Sequence, residues 1–269
     1  MPELPEMENY RRIFNEKLAG QRITKTEVTR EKTVNLLLPQ FASELQNATL
    51  TTVERRAKHL IFRLDSGKSL LLHLMLGGWM YIGGGEDSPD RTKQVTLSFG
   101  GQDLFFIGLR LGYLHLLTQD QMEEKLAELG PEPLSHGFTK ENFRDLLSNR
   151  RSMLKTLLVN QKFIAGIGNL YSDEICFNAR LHPTRPVNEL SGEEVSALYE
   201  GIKSVLKRGI SLGGYMDEPV FKGDELTGSY NNNCYVYDRE GEPCTRCSAP
   251  LIKYEISSRK TFYCRNCQK

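Results

Sequence analysis

Four cysteines near the carboxyl end of the sequence have the spacing of a metal site. They form the pattern Cys244-x2-Cys247-x16-Cys264-x2-Cys267. Each Cys-x2-Cys turn presents two thiolates, and the spacer is long enough for a β-hairpin that brings the two pairs together. Four sulfur ligands leave no open coordination position, so the pattern indicates one structural zinc ion. Two disulfides are the alternative, and the cytoplasmic character inferred below argues against them.

The amino end could supply a nucleophile. The chain begins Met1-Pro2-Glu3, and methionine before proline is readily removed, which leaves a secondary amine on Pro2. An α-amino group has a pKa of about 8, so part of it is uncharged at neutral pH. Such an amine can attack an aldehyde-level carbon and form an iminium, with Glu3 as proton donor or acceptor. The alternative is a rigid chain start followed by an acidic residue that caps a helix.

Two further motifs could contact phosphate. We interpret the run from Arg55 to His59 as a basic cluster entering a β-strand, where alternation would place Arg56 and Lys58 on one face. A charged, solvated edge strand is the alternative. The motif Gly166-Ile167-Gly168-Asn169 joins two predicted helices, and Asn169 is expected to cap the second, where free amides bind anions. A plain helical hairpin with an Asn cap is the other interpretation.

The charge distribution favours a polyanionic partner at one face. The net charge is only +1, but residues 244–269 contain six basic residues against one acid. A local basic patch on a near-neutral protein is typical of nucleic-acid contact. Arg259 lies in the zinc spacer, at the tip of the expected hairpin. A bare basic turn is the alternative for this tip.

The elements that must position these residues fall into three regions. Apolar residues at helical spacing predict a helix over 4–18, and residues 22–117 read as about eight β-strands. Helices are predicted over 121–129, 139–149, 152–159, 169–179 and 191–208, the last beginning with a capping box from Ser191 to Glu194. Residues 130–135 read as a linker, residues 212–233 as a long, mobile loop, and Cys176 and Cys234 as packed rather than ligating.

Length and composition exclude several classes of protein. A chain of 269 residues suggests about two domains, and 39% hydrophobic with 26% charged residues excludes wholesale disorder. The longest apolar run, residues 69–80, is too short to span a membrane. The chain starts with acidic residues where a signal peptide would be basic, so we expect a cytoplasmic protein.

Taken together, the motifs resemble the formamidopyrimidine-DNA glycosylase and endonuclease VIII family. The resemblance rests on the start from Met1 to Glu6, on Arg56-Ala57-Lys58, on the motif from Gly166 to Tyr171, and on the four-cysteine finger with Arg259-Lys260-Thr261, in that order. It implies a multidomain α+β protein with DNA in a cleft. The expected domains are an N-terminal β-sandwich with a leading helix (1–118), a linker (119–135), a helix–two-turn–helix domain (136–228) and a zinc finger (229–269).

The same resemblance implies a role for each motif in base-excision repair. Pro2 would be the Schiff-base nucleophile, Glu3 the acid/base, Lys58 an elimination and phosphate-binding residue, and Arg259 a phosphate contact in δ-elimination. Further DNA contacts are expected at Asn169, His73, Arg110 and Arg151. The partner would be damaged double-stranded DNA bound by a monomer, with one structural Zn²⁺ and no organic cofactor. An enzyme of this kind must extrude the damaged nucleotide before it can reach C1′.

Departures from the family pattern leave the lesion open. Leu76 stands where the purine-lesion branch has a methionine that fills the vacated space, Leu111 replaces an aromatic wedge, and Ser258 replaces a glycine. We therefore expect excision of oxidised bases of the formamidopyrimidine or 8-oxoguanine type. The alternatives are an oxidised-pyrimidine glycosylase of the endonuclease VIII branch, a non-catalytic damage-binding homologue, and, more weakly, an RNA-binding zinc ribbon.

Overall fold

Ten strands and seven α-helices make up the fold of the computed structural model, which describes residues 1–269 except the side chain of Glu86. The helices are α1 (Leu4–Leu18), α2 (Leu38–Leu45), α3 (Gln119–Leu126), α4 (Lys140–Leu147), α5 (Leu154–Leu158), α6 (Asn169–Asn178) and α7 (Gly192–Ser211). The strands are β1 (Lys25–Val28), β2 (Leu50–Arg56), β3 (His59–Leu64), β4 (Ser69–His73), β5 (Trp79–Gly83), β6 (Lys93–Ser98), β7 (Asp103–Ile107), β8 (Tyr113–Leu117), β9 (Ile252–Ile256) and β10 (Arg259–Tyr263).

The chain forms two units. The first consists of Met1–Ala127 and Leu212–Ser229, and the second of Glu128–Ser211 and Tyr230–Lys269. Residues 212–229, which contain neither helix nor strand, therefore belong to the unit of the β-strands rather than to that of the helices before them.

The first unit is a sandwich of two antiparallel sheets, as expected. Their strand orders are β1-β6-β7-β5 and β2-β3-β4-β8. Side chains from both sheets and from α1 share one core, in which Phe62 contacts Phe106 across the layers at 6.0 Å between ring centroids and Phe14 of α1 at the same distance. The eight predicted strands and the leading helix are confirmed.

Helix α2 was not expected within the strand region. Pro39 stands in its first turn, and Phe41 and Leu45, one helical turn apart, are its buried residues. Both side chains join the sandwich core, so burial of one apolar face stabilises this short element.

The second unit consists of helices and a zinc-type hairpin. Helix α7 begins with the predicted capping box, because Ser191 Oγ accepts a hydrogen bond from Glu194 N at 3.2 Å and the Glu194 carboxylate accepts one from Ser191 N at 2.8 Å. Gly130 N donates to Gln161 O, so the 130–135 segment packs along the loop that precedes α6. None of the helices in the described chain is long and apolar enough to cross a membrane.

Candidate active site and zinc centre

The amino end of α1 is buried. Pro2 and Glu3 are both covered, and Glu3 occupies the N-cap position of the helix. Glu3 and Glu6 form a capping box, in which Glu3 N donates to the Glu6 carboxylate at 2.7 Å. The Pro2 nitrogen directly precedes the N-cap of α1, so removal of Met1 would leave an amine next to the positive end of this helix.

Glu6 is a functional candidate that the sequence analysis missed. Its second oxygen accepts a hydrogen bond from Tyr215 N at 2.7 Å. Gly214 has a left-handed backbone, and a Cβ there would lie 2.5 Å from that same oxygen. Glu6 thus joins the Pro2–Glu3 end of α1 to the 212–229 segment. The Glu3-x-x-Glu6 spacing was the only available signal, because a contact 209 residues away leaves no local pattern.

Lys58 does not enter a strand as expected. It forms, with Ala57, the two-residue turn between β2 and β3, and the residues flanking the turn, Arg56 and His59, are paired. Ala57 has a left-handed backbone with φ of 54°. The chain therefore reverses before alternation could place Arg56 and Lys58 on one face. Lys58 is nevertheless buried, with 5% of its surface exposed.

His73 ends β4 beside this turn. Its ring lies 4.4 Å from that of His59, centroid to centroid. Burial and the charge of Lys58 lower the pKa of His73 to about 4. His73 is therefore neutral in the free protein at physiological pH.

Two loops present apolar side chains to solvent. Leu76 is 62% exposed and Leu111 is 64% exposed. The loops are packed together, because a Cβ at Gly108 would lie 2.0 Å from Gly77 O. Arg110 is exposed in the second loop. Leu76, Arg110 and Leu111 are thus exposed at the surface, and their use in filling the space left by an extruded nucleotide stays a prediction.

In the second unit, Asn169 is the first residue of α6. Gly168 occupies the N-cap position, so the prediction that Asn169 caps the helix is wrong. Glycine replaces the expected side-chain cap, and the Asn169 amide oxygen is buried without a hydrogen-bond partner. Arg151 is exposed in the segment before α5.

A buried ion pair links the start of α6 to the zinc hairpin. Lys155 Nζ lies 2.6 Å from Asp173 Oδ1, and both side chains are almost fully buried. The same ammonium donates to Asn169 O at 3.3 Å and to Lys260 O at 3.1 Å. Asp173 Oδ2 accepts from Phe262 N at 3.0 Å. Sequence analysis missed this pair, which fixes the backbone that follows Arg259, at Lys260 and Phe262, relative to Asn169.

Loss of this pair is expected to destabilise the second unit. Burial raises the pKa of Asp173 to about 7 against the opposing charge of Lys155. In Lys155→Met that charge is gone, so Asp173 stays protonated at neutral pH and two backbone carbonyls lose their donor. We expect a loss of about 3 kcal/mol in the free energy of unfolding, measured by denaturant titration.

The matched control is Lys162→Met. Its partner Glu128 lies at 2.9 Å, but both side chains are exposed. The expected change is below about 0.5 kcal/mol. Equal effects of the two substitutions would contradict the role assigned to Lys155.

Arg259 begins β10, directly after the tip of the hairpin. The tip residues Ser257 and Ser258 have φ of 49° and 60°, as in a two-residue hairpin turn that usually contains glycine or asparagine. Arg259 is exposed next to this tip. The expected hairpin with Arg259 at its end is confirmed.

The cysteines fit one zinc ion. Tetrahedral zinc with bonds of about 2.3 Å to sulfur requires sulfur–sulfur distances of about 3.8 Å. The observed separations are 3.9 Å between Cys244 and Cys267 and 3.5 Å between Cys247 and Cys264. All four sulfur atoms lie within 4.8 Å of one another. The site would hold a structural zinc with no position left for substrate.

The two remaining cysteines are packed, as predicted. Cys176 is fully buried in α6 and Cys234 is 5% exposed. Neither belongs to the four-cysteine cluster.

The predicted site residues are divided between the two units. The first contains Pro2, Glu3, Lys58, His73 and Arg110, and the second contains Arg151, Asn169, Arg259 and the four cysteines. Lys58 and His73 are neighbours in the first, and Asn169 and Lys260 share the Lys155 ammonium in the second.

Comparison with known proteins covers the whole chain. Family models match the formamidopyrimidine-DNA glycosylase N-terminal domain at residues 1–113, the H2TH domain of the same enzyme at 129–218, and a zinc finger found in FPG and IleRS at 241–269. The formamidopyrimidine-DNA glycosylases of Pelotomaculum thermopropionicum and Roseiflexus sp. are each 36% identical to it, over 100% of this chain and 99% and 100% of theirs.

Comparison with solved structures also gives similarity over the full length of the chain. A mutant Lactococcus lactis Fpg in complex with Fapy-dG containing DNA has a TM-score of 0.92 at 31% identity, with 100% of both chains covered. The Lactococcus lactis Fpg complex with abasic-site DNA has a TM-score of 0.92 at 30% identity, with 99% of both chains covered. With the sandwich, the H2TH region and the cysteine cluster all in place, the chain belongs to the formamidopyrimidine-DNA glycosylase family.

Proposed function

We propose that this protein is a base-excision-repair DNA glycosylase that removes oxidised purines, with formamidopyrimidine lesions as substrates, and then cleaves the strand as a lyase. The observation that carries the proposal is the full-length likeness to Fpg in complexes with Fapy-dG DNA and with abasic-site DNA. It is supported by the buried Pro2–Glu3 pair at the start of α1. An enzyme with this activity works at the nucleoid, in the cytoplasm, and acts as a monomer on damaged duplex.

The reaction assigns a role to each residue at the start of α1. The Pro2 amine attacks C1′ of the extruded nucleotide, the C1′–N bond breaks, and the base leaves with a proton. The sugar ring opens to an iminium on Pro2, with Glu3 moving the proton to the ring oxygen. The iminium acidifies the C2′ protons, so loss of one of them expels the 3′ phosphate, and a second elimination expels the 5′ phosphate.

Phosphate contacts hold the strand during these steps. Lys58 in the β2–β3 turn supplies a buried ammonium, and Asn169 and Arg259 supply an amide and a guanidinium in the second unit. We propose that these groups, with His73, Arg110 and Arg151, bind DNA around the lesion. Zinc supplies only structure, because four thiolates leave no position for a reacting group.

Borohydride trapping on DNA with an abasic site tests the proposal. A lyase that works through an imine gives a covalent adduct after reduction, whereas a non-catalytic damage-binding protein gives none. A glycosylase assay with oxidised purines and pyrimidines, each opposite several bases, then defines the lesion.

One observation favours the endonuclease VIII alternative for substrate choice. The exposed apolar side chains of the two packed loops are Leu76 and Leu111, in place of the methionine and the aromatic residue of the purine-lesion pattern. Preferential excision of oxidised pyrimidines in the panel would establish that alternative.

Glu3→Gln should separate the two activities. The amide cannot move a proton, so base departure and ring opening are blocked, whereas a preformed abasic site already has its aldehyde. We expect base excision to be lost, while a larger share of the lyase activity on abasic DNA is retained. Gel analysis of the cleavage products from both substrates measures the two activities. Equal loss of both activities would contradict this division of roles.

Arg259→Ala should weaken DNA binding without disturbing the zinc site. Arg259 lies five residues before Cys264 and is not a ligand. One lost phosphate contact releases about one counterion fewer, so the slope of log affinity against log salt should fall by about one. Excision should fall more than binding to undamaged duplex does.

Affinity across a salt series, with zinc content measured alongside, checks this expectation. If both the salt dependence of the affinity and the rate of excision were unchanged, Arg259 would have no role in DNA binding or catalysis.

A further inference from the structure

Residues 213–228 form a compact loop that closes on itself, and we call them the strap. Gly228 N donates a hydrogen bond to Gly213 O at 3.4 Å, so the two ends of the loop meet. A Cβ at Gly213 would lie 2.2 Å from Leu226 O, and a Cβ at Gly228 would lie 2.5 Å from Asp217 Cα. Close packing of this kind is typical of surface loops that carry function.

The middle of the strap is docked on the sandwich. Val220 is fully buried in the sandwich core, although it lies in neither a helix nor a strand. At the open edge of β5, Ile82 N donates to Val220 O at 2.7 Å, and Ile82 forms an isolated bridge with Phe221. The Phe221 ring packs against the core, and Lys17 Nζ of α1 lies 4.0 Å from its centroid. The strap therefore covers part of an edge strand that would otherwise leave backbone groups unpaired.

Asp224 completes this docking from within the strap. Its Oδ2 accepts a hydrogen bond from Val220 N at 2.9 Å, and its Oδ1 accepts from Leu226 N at 3.2 Å and from Thr227 N at 3.1 Å. Together with the bond from Ile82, this satisfies both backbone polar groups of Val220, as a buried residue requires. Hydrogen bonds to a carboxylate are stronger than those between neutral groups. The buried position of Val220 therefore depends on Asp224.

Both ends of the strap are bonded to α1, near the residues assigned to the reaction. Tyr215 N donates to one oxygen of Glu6 at 2.7 Å, and the other oxygen accepts from Glu3 N. At the far end, Thr227 Oγ1 accepts from Asn9 Nδ2 at 2.9 Å. The damaged base is bonded directly to C1′, the atom that the nucleophile attacks. A base on that atom lies within reach of a strap that is one carboxylate away from Glu3.

One stretch of the strap has no such anchor. Residues 216–219 lie between the bonds at Tyr215 and Val220, and within the part of the chain that the structure describes they make no hydrogen bond and no ion pair. In this stretch, Glu218 Oε2 is buried without a hydrogen-bond partner. Residues 216–219 can therefore contact a ligand without giving up bonds of their own.

We propose that Asp224 is a positioning residue for base excision, which keeps the strap closed in the free protein. Residues 216–219 then form a wall for the extruded base before DNA binds. In this scheme the strap is a fixed element rather than the mobile loop expected from its sequence. Asp224 contacts no reacting atom and acts through Val220 and Thr227. The inference rests on the proposed function, because it requires an extruded base beside Glu3.

Hydrogen exchange in the free protein tests whether the strap is closed. The amide of Ile82 is bonded to the strap and not to Asp224, so its exchange rate reports docking directly. In the wild-type protein we expect the amides of Ile82 and Val220 to exchange at least about tenfold more slowly than unprotected amides. In Asp224→Ala, loss of three hydrogen bonds should leave the strap mostly open, and both amides should exchange at nearly the unprotected rate.

Assays with the full-length protein test whether the closed strap matters for excision. Asp224→Ala should lower kcat/KM for excision of an oxidised base by at least about tenfold, because only a minor fraction of the protein has its wall in place. Cleavage at a preformed abasic site, and affinity for a duplex with a tetrahydrofuran abasic analogue, should stay within about twofold of wild type, since neither DNA has a base to hold. Asp224→Asn keeps one accepting oxygen and should be intermediate in exchange and in excision.

Glu225→Ala is the matched control. Glu225 is the next residue of the strap, and its exposed side chain has no hydrogen-bond or ion-pair partner among the described residues. The substitution removes the same charge from the neighbouring position, so exchange and excision should match the wild type.

Four results would overturn the proposal. The first is an Ile82 amide that is unprotected in the free wild-type protein. The second is unchanged exchange or unchanged excision in Asp224→Ala. The third is an equal loss of excision and of abasic-site cleavage in that variant, and the fourth is the same loss in Glu225→Ala.

Failure of the proposed function would be visible separately. The wild-type protein would then give no borohydride adduct on abasic DNA, whereas the exchange of the strap is measured without DNA. Normal trapping and normal excision by Asp224→Ala with an open strap would reject only the positioning role. Thermal unfolding at pH 7 shows whether each variant is folded, and Asp224→Asn decides the same questions if Asp224→Ala does not fold.

Discussion

Pro2→Gly is expected to abolish both base excision and borohydride trapping while most of the DNA affinity remains. The Pro2 nitrogen lies at the positive end of α1, on a buried segment that is fixed by the capping box of Glu3 and Glu6. Glycine removes the ring that holds this amine in one orientation. Affinity should survive, because it comes mainly from phosphate contacts at other residues.

A protein that retains Met1 provides the matched comparison. There the Pro2 nitrogen is an amide, so it has no nucleophilic lone pair, while every side chain is unchanged. Both proteins should bind a tetrahydrofuran duplex within a few-fold of wild type, and neither should give a trapped adduct on DNA that contains a true abasic site. Normal trapping by the protein that retains Met1 would mean that a lysine is the nucleophile instead, whereas Pro2→Gly still carries an α-amine of its own.

The parts of the fold that sequence predicted well are those with local causes. The stripe from Met7 to Leu18 places apolar residues on one face of α1, and Val95 and Leu97 alternate inward on β6. The capping box at Ser191 needs only residues three apart. The zinc-type centre is local in the same sense, since each pair of cysteines belongs to one tight turn.

The errors have equally specific causes. Lys58 was placed in a strand because the turn contains no glycine, asparagine or proline, yet Ala57 adopts the left-handed backbone that the turn requires. Asn169 was taken as a helix cap because asparagine often is one, but Gly168 holds that position. The α2 helix was overlooked because Phe41 and Leu45 give only one repeat of the helical period.

Some of the site depends on contacts that sequence cannot reveal. The Glu6 carboxylate accepts a hydrogen bond from Tyr215 N, 209 residues away in the sequence. The Lys155 ammonium donates one to Lys260 O, 105 residues away. Glu174 accepts hydrogen bonds from the Tyr230 hydroxyl and from three consecutive amides beginning at Tyr235. Each looks like an ordinary charged residue in a helix until the fold supplies its partner.

Zinc removal is expected to unfold the hairpin of the second unit and to weaken DNA binding by at least about tenfold. A four-cysteine site supplies most of the folding free energy of its own module. Here Cys244 and Cys264 also belong to a small apolar cluster with Phe262 of β10 and Phe177 of α6. Loss of the metal should therefore free Arg259 and expose that face of α6, and DNA binding would lose the contacts made there.

The folding of the first unit should be unaffected by zinc removal, and a single tryptophan allows this to be measured. The only tryptophan in the sequence is Trp79, which lies in β5 of the sandwich. After chelation, Trp79 emission should be unchanged, while hydrogen exchange should accelerate at the amides of Tyr235 and Val236, which Glu174 holds, and at Phe262, which Asp173 holds. The chelated protein serves as its own control when zinc is added back. Undiminished DNA affinity after complete zinc loss would show that the hairpin folds without metal, because the carboxylates of α6 would then suffice to hold it.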